Sequence, residues 1–137
     1  MKQDISSNKS TSIPEKKPNG IKRIWLATQY SYRGLIATAQ HEEAFRQELL
    51  LLLCAFLLMP LFATSWFHAV ALIGSVIMIL IVELLNSAIE AIVDRVGLEF
   101  HELSGRAKDM GSAAVFLSIT LAGMIWLVSI IQWFLHH

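Results

Sequence analysis

The sequence predicts an all-α membrane protein in which an N-terminal amphipathic, interfacial helix precedes three transmembrane helices. Three observations predict it. The 137 residues are 55% hydrophobic and only 16% charged, with a positive mean hydropathy, which is too apolar for a soluble domain of this size. Three apolar stretches, roughly 49–67, 69–93 and 111–135, have the length of about 20 residues that a helix needs to cross a bilayer. The charges are also segregated. Lys2, Lys9, Lys16, Lys17, Lys22, Arg23, Arg33 and Arg46 precede the first stretch, and Arg95, Arg106 and Lys108 separate the second from the third. The connector 64–68 and the residues after Leu135 hold no Lys or Arg. The positive-inside rule then makes the N-terminus and the second loop cytoplasmic, and places the first loop and the C-terminus on the periplasmic side.

Taken in order, residues 1–20 are rich in Lys, Ser and Asn and lack the apolar core of a secretory signal, so a disordered polar tail is expected there. Residues 21–137 are expected to form a single membrane domain. Ile21, Ile24, Trp25, Thr28, Tyr32, Leu35, Ile36 and Ala39 recur at helical spacing, with Lys22, Arg23, Gln29 and Arg33 on other faces. This pattern predicts a helix lying on the cytoplasmic leaflet, with Gly34 as a place for a kink or an end. Such a helix would serve equally as an anchor or as a cover for an active site. The first span should begin at Glu42 or Glu43 and be kinked or ended by Pro60. The second should start near Phe67 and run to about Arg95, because no Pro or late Gly interrupts it before Gly97. A charged loop, 97–109, should lead into the third helix, with Ser104 or Asp109 as N-cap. The lone Cys54 falls inside the first span and reads as an apolar filler. Trp66, Trp126 and Trp133 suit membrane-belt or packing positions, and His68, His136 and His137 read as surface or interface residues.

The chemistry concentrates at the end of the second span. A helix turns about 100° per residue, so Glu90 points about 20° to one side of Glu83 and Asp94 about 20° to the other, with Asn86 and Ser87 within about 60° of the same direction. A carboxylate at membrane depth costs roughly 2.5–3.5 kcal/mol on insertion scales, so this stripe should face protein or water and mark a functional site. Asn86 and Ser87 would also serve as interhelical hydrogen-bonding residues. A rise of 1.5 Å per residue sets Glu83 and Glu90 about 10 Å apart, too far to share one Mg²⁺ at about 2.1 Å. Their roles should therefore differ by depth. Glu90, nearer the cytosol, suits a hydrated cation, and Glu83, withdrawn from water, suits a general base for a hydroxyl. Glu42 and Glu48 lie where the first span meets the interface, and Lys108 with Asp109 precede the third, so a metal ligand and a phosphate-binding cation are at hand. Glu43, Glu99 and Glu102 read in themselves as solvated charges. No Walker-type or kinase-type Gly-rich loop occurs, so any nucleotide site should be of an unusual kind.

The run Glu83-Leu-Leu-Asn86-Ser-Ala-Ile-Glu90-Ala-Ile-Val-Asp94-Arg95, with Glu99-Phe-His101-Glu102-Leu-Ser-Gly-Arg-Ala-Lys108-Asp109-Met-Gly-Ser112-Ala-Ala after it, resembles the prokaryotic diacylglycerol kinase family. Glu42-Glu-Ala-Phe-Arg46-Gln-Glu48 and Tyr30-Ser31-Tyr-Arg-Gly-Leu resemble it too, and the likeness runs from about Ile21 to the C-terminus. The resemblance implies an integral inner-membrane homotrimer that moves the γ-phosphate of ATP to diacylglycerol, giving phosphatidic acid. It makes Glu83 the general base and gives Mg²⁺ to Glu90 and Glu42. It has Asn86 position the reacting groups and has Lys108 and Asp109 contact nucleotide. Arg23, Ser31, Glu48 and Asp94 would complete or support the site, with Glu99 and His101 near the nucleotide base. The Gly111-Ser112-Ala113-Ala114 stretch resembles the branch that acts on diacylglycerol, and Ser112 joins the substrate-binding or supporting residues.

Phosphoryl transfer is mostly positioning and charge stabilisation, so Mg²⁺, a cation such as Lys108 and one carboxylate base suffice chemically. Three thin helices can hardly surround a triphosphate and a polar stripe, which favours sites shared between subunits. The expected partners are ATP, diacylglycerol, membrane lipids and further copies of the chain, with no nucleic acid. Two other functions remain open. One is an undecaprenol kinase with the same carboxylates, and the other is a small proton-coupled transporter with Glu83 and Glu90 as a relay. A relay needs ionisable groups across the whole bilayer, and the first half of the second span and all of the third lack them.

Overall fold

The computed structural model describes residues 20–97, 99 and 101–136, so the polar tail expected at 1–20 lies, apart from Gly20, outside the described residues, as does His137. The chain resolves into two compact units, Met1–Tyr32 and Arg33–His137. Among the described residues the structure is all-helical: α1 (Ile21–His41), α2 (Glu43–Phe62), α3 (Trp66–Val96) and α4 (Glu102–His136). The last three are each long and apolar enough to cross a membrane.

Helix α1 continues through Gly34 to His41, so the end expected there does not occur. The hydroxyls of Thr28, Ser31 and Thr38 donate to the carbonyls four residues earlier, each over 3.0 Å. None of its residues is buried, and Ile21, Ile24, Trp25, Tyr32 and Leu35 stay exposed. Such an apolar face is what a helix lying on a membrane surface presents.

Glu42 alone separates α1 from α2. Its backbone is extended, at φ −104° and ψ 118°, and α2 begins at Glu43 as the sequence suggests. Pro60 lies in the last turn of α2, where it removes the N–H that would bond the Phe56 carbonyl, and the helix ends at Phe62 with the Ala63 N–H still donating to Met59 O over 2.9 Å. Ser65 then caps α3, its hydroxyl accepting from the His68 N–H over 3.2 Å. Both ends of α3 fall within about one residue of expectation. The start of α4 does not, because neither Ser104 nor Asp109 is its N-cap. Both lie inside the helix, which starts at Glu102. His101 takes the capping place. Its Nδ1 accepts the Leu103 N–H over 3.2 Å, and its carbonyl accepts the Gly105 N–H over 3.0 Å. A ring nitrogen can satisfy an orphan N–H as a hydroxyl does, and Glu102-Leu103 then enter the helix unopposed.

Helix α3 is central in the second unit, packing against both α2 and α4, which touch each other only marginally. Leu72, Val76, Ile79 and Leu80 of α3, Phe45 and Ala55 of α2 and Ala122 of α4 are the buried apolar residues of a thin core. The buried positions of α4 are Gly111, Ser118, Ala122 and Ser129, small residues that let membrane helices approach closely. Outward-facing Leu50, Leu57, Phe116, Leu117, Leu127 and Phe134 stay exposed, as lipid contact requires. Three hydroxyls in the spans bond to carbonyls of their own helix. Ser75 donates to Leu72 O over 2.8 Å, Ser118 to Val115 O over 2.7 Å and Thr120 to Phe116 O over 2.8 Å. Trp126 packs rather than lining a belt, donating its indole N–H to Leu72 O over 3.2 Å.

His68 is half-buried and bonded, not a free surface group. Its Nε2 meets Ser129 Oγ at 2.8 Å, tying the α2–α3 turn to α4. The Ser129 hydroxyl donates to Ile125 O over 2.8 Å, so it receives a proton from His68 Nε2. His68 Nδ1 is left to accept from the Thr64 N–H over 3.3 Å. The network assigns one tautomer to a neutral ring.

Candidate functional site

At 1.5 Å per residue the 31 residues of α3 reach about 46 Å, against a hydrocarbon core of about 30 Å. The surplus, about 16 Å, is long enough to carry the far end of the polar stripe, Glu90 to Asp94, past the hydrocarbon. Burial falls along it in order: Glu83 and Asn86 are buried, Ser87 and Glu90 half-buried, Asp94 exposed. Glu83, at 6% exposure, is enclosed as deeply as the apolar core.

Other elements bring their carboxylates to it. Glu83 lies close enough to Glu42 and Glu90 for their charges to interact, and Glu48, buried on α2, lies as close to Glu83. Four carboxylates from α3, from the first turns of α2 and from the corner before it thus meet at one end of the bundle. Asn86 orders part of the group by donating its amide to Glu90 Oε1 over 3.0 Å. Its carbonyl oxygen abuts Gly111 of α4, where a Cβ would collide with it. Gly111 is therefore the residue that lets α4 close over Asn86. Sequence reasoning missed this role, although a glycine inside an apolar helix is the signal for such close approach. Among the described residues Glu48 Oε2, Asn86 Oδ1 and Ser87 Oγ are buried without a hydrogen-bond partner. Buried polar atoms are rarely left so, and these mark a site built to receive a polar group.

Helix α4 supplies the cation. Lys108 Nζ pairs with Asp94 Oδ1 at 2.6 Å, both partly exposed, and the ammonium also interacts with Glu90. Asp109 and Ser112 are exposed on the same helix. Glu99 is exposed, and His101 caps α4 with one ring nitrogen. Arg23 and Ser31 belong to the first compact unit, where Arg23 is exposed and Ser31 donates to Ala27 O.

The oxygens present suit Mg²⁺. The Glu42 carboxylate makes no capping bond to α2, and Glu90 has a second carboxylate oxygen beyond the one that Asn86 holds. Among the described residues no three His, Cys, Asp or Glu side chains form a closed cage. Mg²⁺ usually takes one or two carboxylates with waters and phosphates, so this donor set fits it.

The prokaryotic diacylglycerol kinase family model matches residues 29–130. The chain belongs to that family. It is 50% identical over 109 residues to a diacylglycerol kinase of Escherichia coli, covering 80% of this chain and 89% of the relative. A diacylglycerol kinase of Pseudomonas aeruginosa is 48% identical over 113 residues, covering 82% and 92%. One of Haemophilus influenzae is 42% identical over 113 residues, covering 80% and 93%. The matched residues take in α2, α3, most of α4 and every carboxylate of the site, so this family member is read as a bacterial membrane protein.

Proposed function

We infer that the protein phosphorylates diacylglycerol with ATP, giving phosphatidic acid and ADP, and that Glu83 is its general base. The single observation that carries this is a buried carboxylate at the membrane end of a stripe whose other end, Glu90 and Asp94 beside Lys108, reaches water. A lipid alcohol and a water-soluble triphosphate can meet only across such a boundary. The names of the relatives support the same reaction.

The lipid hydroxyl sits against Glu83, which takes its proton as the oxygen attacks the γ-phosphorus. The bond from that phosphorus to the β–γ bridging oxygen breaks, and ADP leaves. Asn86, held on Glu90 by its amide and packed against Gly111 through its carbonyl oxygen, fixes the direction of Glu90 and so orients the reacting groups. Glu42 and Glu90 would hold Mg²⁺, which when bound neutralises charge on the phosphates. Lys108 leaves Asp94 for a phosphate oxygen, and Asp109, Arg23, Ser31, Glu99 and His101 complete the nucleotide site. Glu48, Asp94 and Ser112 support it.

One thin bundle with largely exposed apolar faces and three unpartnered buried oxygens supports a homotrimer with shared sites. The family match over residues 29–130 supports one kinase domain over 21–137. Charge segregation supports an inner-membrane location with a cytoplasmic N-terminus and a periplasmic C-terminus.

The test is turnover of MgATP by the detergent-purified protein with dioleoylglycerol or undecaprenol as acceptor. Faster turnover with dioleoylglycerol is expected, and a preference for the polyprenol would overturn the substrate assignment.

A further inference from the structure

We propose that Arg46 is a positioning residue that sets the direction of Glu42. The inference rests on the reading of Glu42 as a metal ligand. Glu42 is the only residue between two helices, and rotation about its backbone would swing α1 against α2 and carry its carboxylate with it. Residues in this position often turn a side chain onto the N–H groups of the first turn, although Glu is not among the usual caps. Glu42 makes no such bond, and its charge is felt instead at Glu83. Something other than capping therefore holds the corner.

The carbonyls at the end of α1 identify what does. The last four carbonyls of a helix lack partners within it. Thr38 O accepts the Glu42 N–H over 2.8 Å. Arg46, one turn into α2, reaches back across the bend, and its Nη1 donates to Ala39 O over 3.2 Å and, more weakly, to Gln40 O over 3.4 Å. A guanidinium at a helix C-terminus satisfies orphan carbonyls and also meets the negative end of the dipole. One side chain thus straps the end of α1 to the start of α2, with Glu42 between its anchor points. Among the described residues Arg46 makes no ion pair with a carboxylate, so its effect on the site passes through the backbone of the corner.

The experiment measures Mn²⁺ binding by electron paramagnetic resonance in the detergent-purified protein, with a non-hydrolysable ATP analogue, beside the Mg²⁺ dependence of turnover. Arg46→Met should weaken Mn²⁺ binding roughly tenfold, the factor that one hydrogen bond of ordinary net strength is worth. Its KM for dioleoylglycerol and its oligomeric state should be unchanged. Arg46→Lys, which keeps a cationic donor, should recover most of the loss, and Glu42→Gln/Arg46→Met should bind no worse than Glu42→Gln alone. Wild-type Mn²⁺ binding in Arg46→Met, or additive losses in the double variant, would overturn the proposal. If Glu42→Gln itself leaves Mn²⁺ binding unchanged, the metal-ligand reading of Glu42 falls, and the role of Arg46 falls with it. Should Arg46→Met fail to assemble, Arg46→Lys against Arg46→Gln decides by the same comparison.

Discussion

Asn86 donates its amide to Glu90 over 3.0 Å while its carbonyl oxygen lies against Gly111 of the next helix. Two functions of the site meet in this one side chain. The bond to Glu90 lies along α3 and follows from a spacing of four residues, whereas the contact with Gly111 joins α3 to α4. Asn86 therefore registers the packing of two membrane helices and transmits it to the carboxylate read as a metal ligand.

Gly111→Ala should be far more damaging than its single methyl suggests. The new Cβ would occupy the place of Asn86 Oδ1, with the Asn86 Cα only 3.8 Å away. Asn86 must then rotate and release Glu90, or α4 must shift. Overpacking of this kind costs about 1–3 kcal/mol. A lower thermal midpoint together with at least a tenfold loss of kcat/KM is expected, roughly the effect of 1.4 kcal/mol, as read by thermal unfolding and steady-state assay in detergent.

Glu83→Gln preserves the shape of the buried side chain and removes the base. The oligomer should persist by size exclusion, and turnover should fall by about 10²–10⁴-fold, the usual contribution of a positioned acid–base group. Near-normal kcat would defeat the assignment of Glu83.

Glu90→Gln keeps an oxygen for Asn86 but loses the charge. The Mg²⁺ concentration for half-maximal rate should rise steeply at saturating lipid. A metal titration indistinguishable from wild type would count against Glu90 as a ligand.

Lys108→Met separates structure from nucleotide binding. Its pair with Asp94 is substantially exposed, and such pairs contribute little to stability. Thermal stability should hardly change, whereas KM for ATP should rise. The reverse pattern would make the ion pair a structural tie between α3 and α4.

His68→Leu tests the other end of the bundle. His68 precedes Glu83 by fifteen residues, about 22 Å along the helix axis. Losing its bond to buried Ser129 should cost about 1 kcal/mol of stability with kcat intact. A large loss of activity in a stable variant would show that the far end is coupled to the site.

Much of this protein is legible along the chain because helices are local. The Glu83–Asp94 stripe, the stop near Pro60 and the ends of α3 all depend on residues within a turn or two of one another. The missed features depend on distance or on an unusual partner. Ser104 and Asp109 have the hydroxyl and carboxylate usual in caps, yet His101 caps α4 through a ring nitrogen, a choice that propensity does not favour. Gly34 permits a helix end, but permission is not a cause, and α1 continues through it to His41.

The sequence by itself determined that three apolar helices span a membrane, that a polar stripe ends the second, and that the chemistry lies toward the positively charged side. These follow from period, length and charge, which need no knowledge of neighbours. Only the tertiary structure decided which groups meet there. Glu42 and Glu48 approach Glu83, Lys108 closes on Asp94, Gly111 admits Asn86, and Arg46 straps the corner on which Glu42 stands. Those meetings arise from how α2 and α4 pack on α3. Packing is set by the fit of whole faces, with a glycine or a serine where two helices come closest, and no single spacing in the chain records it.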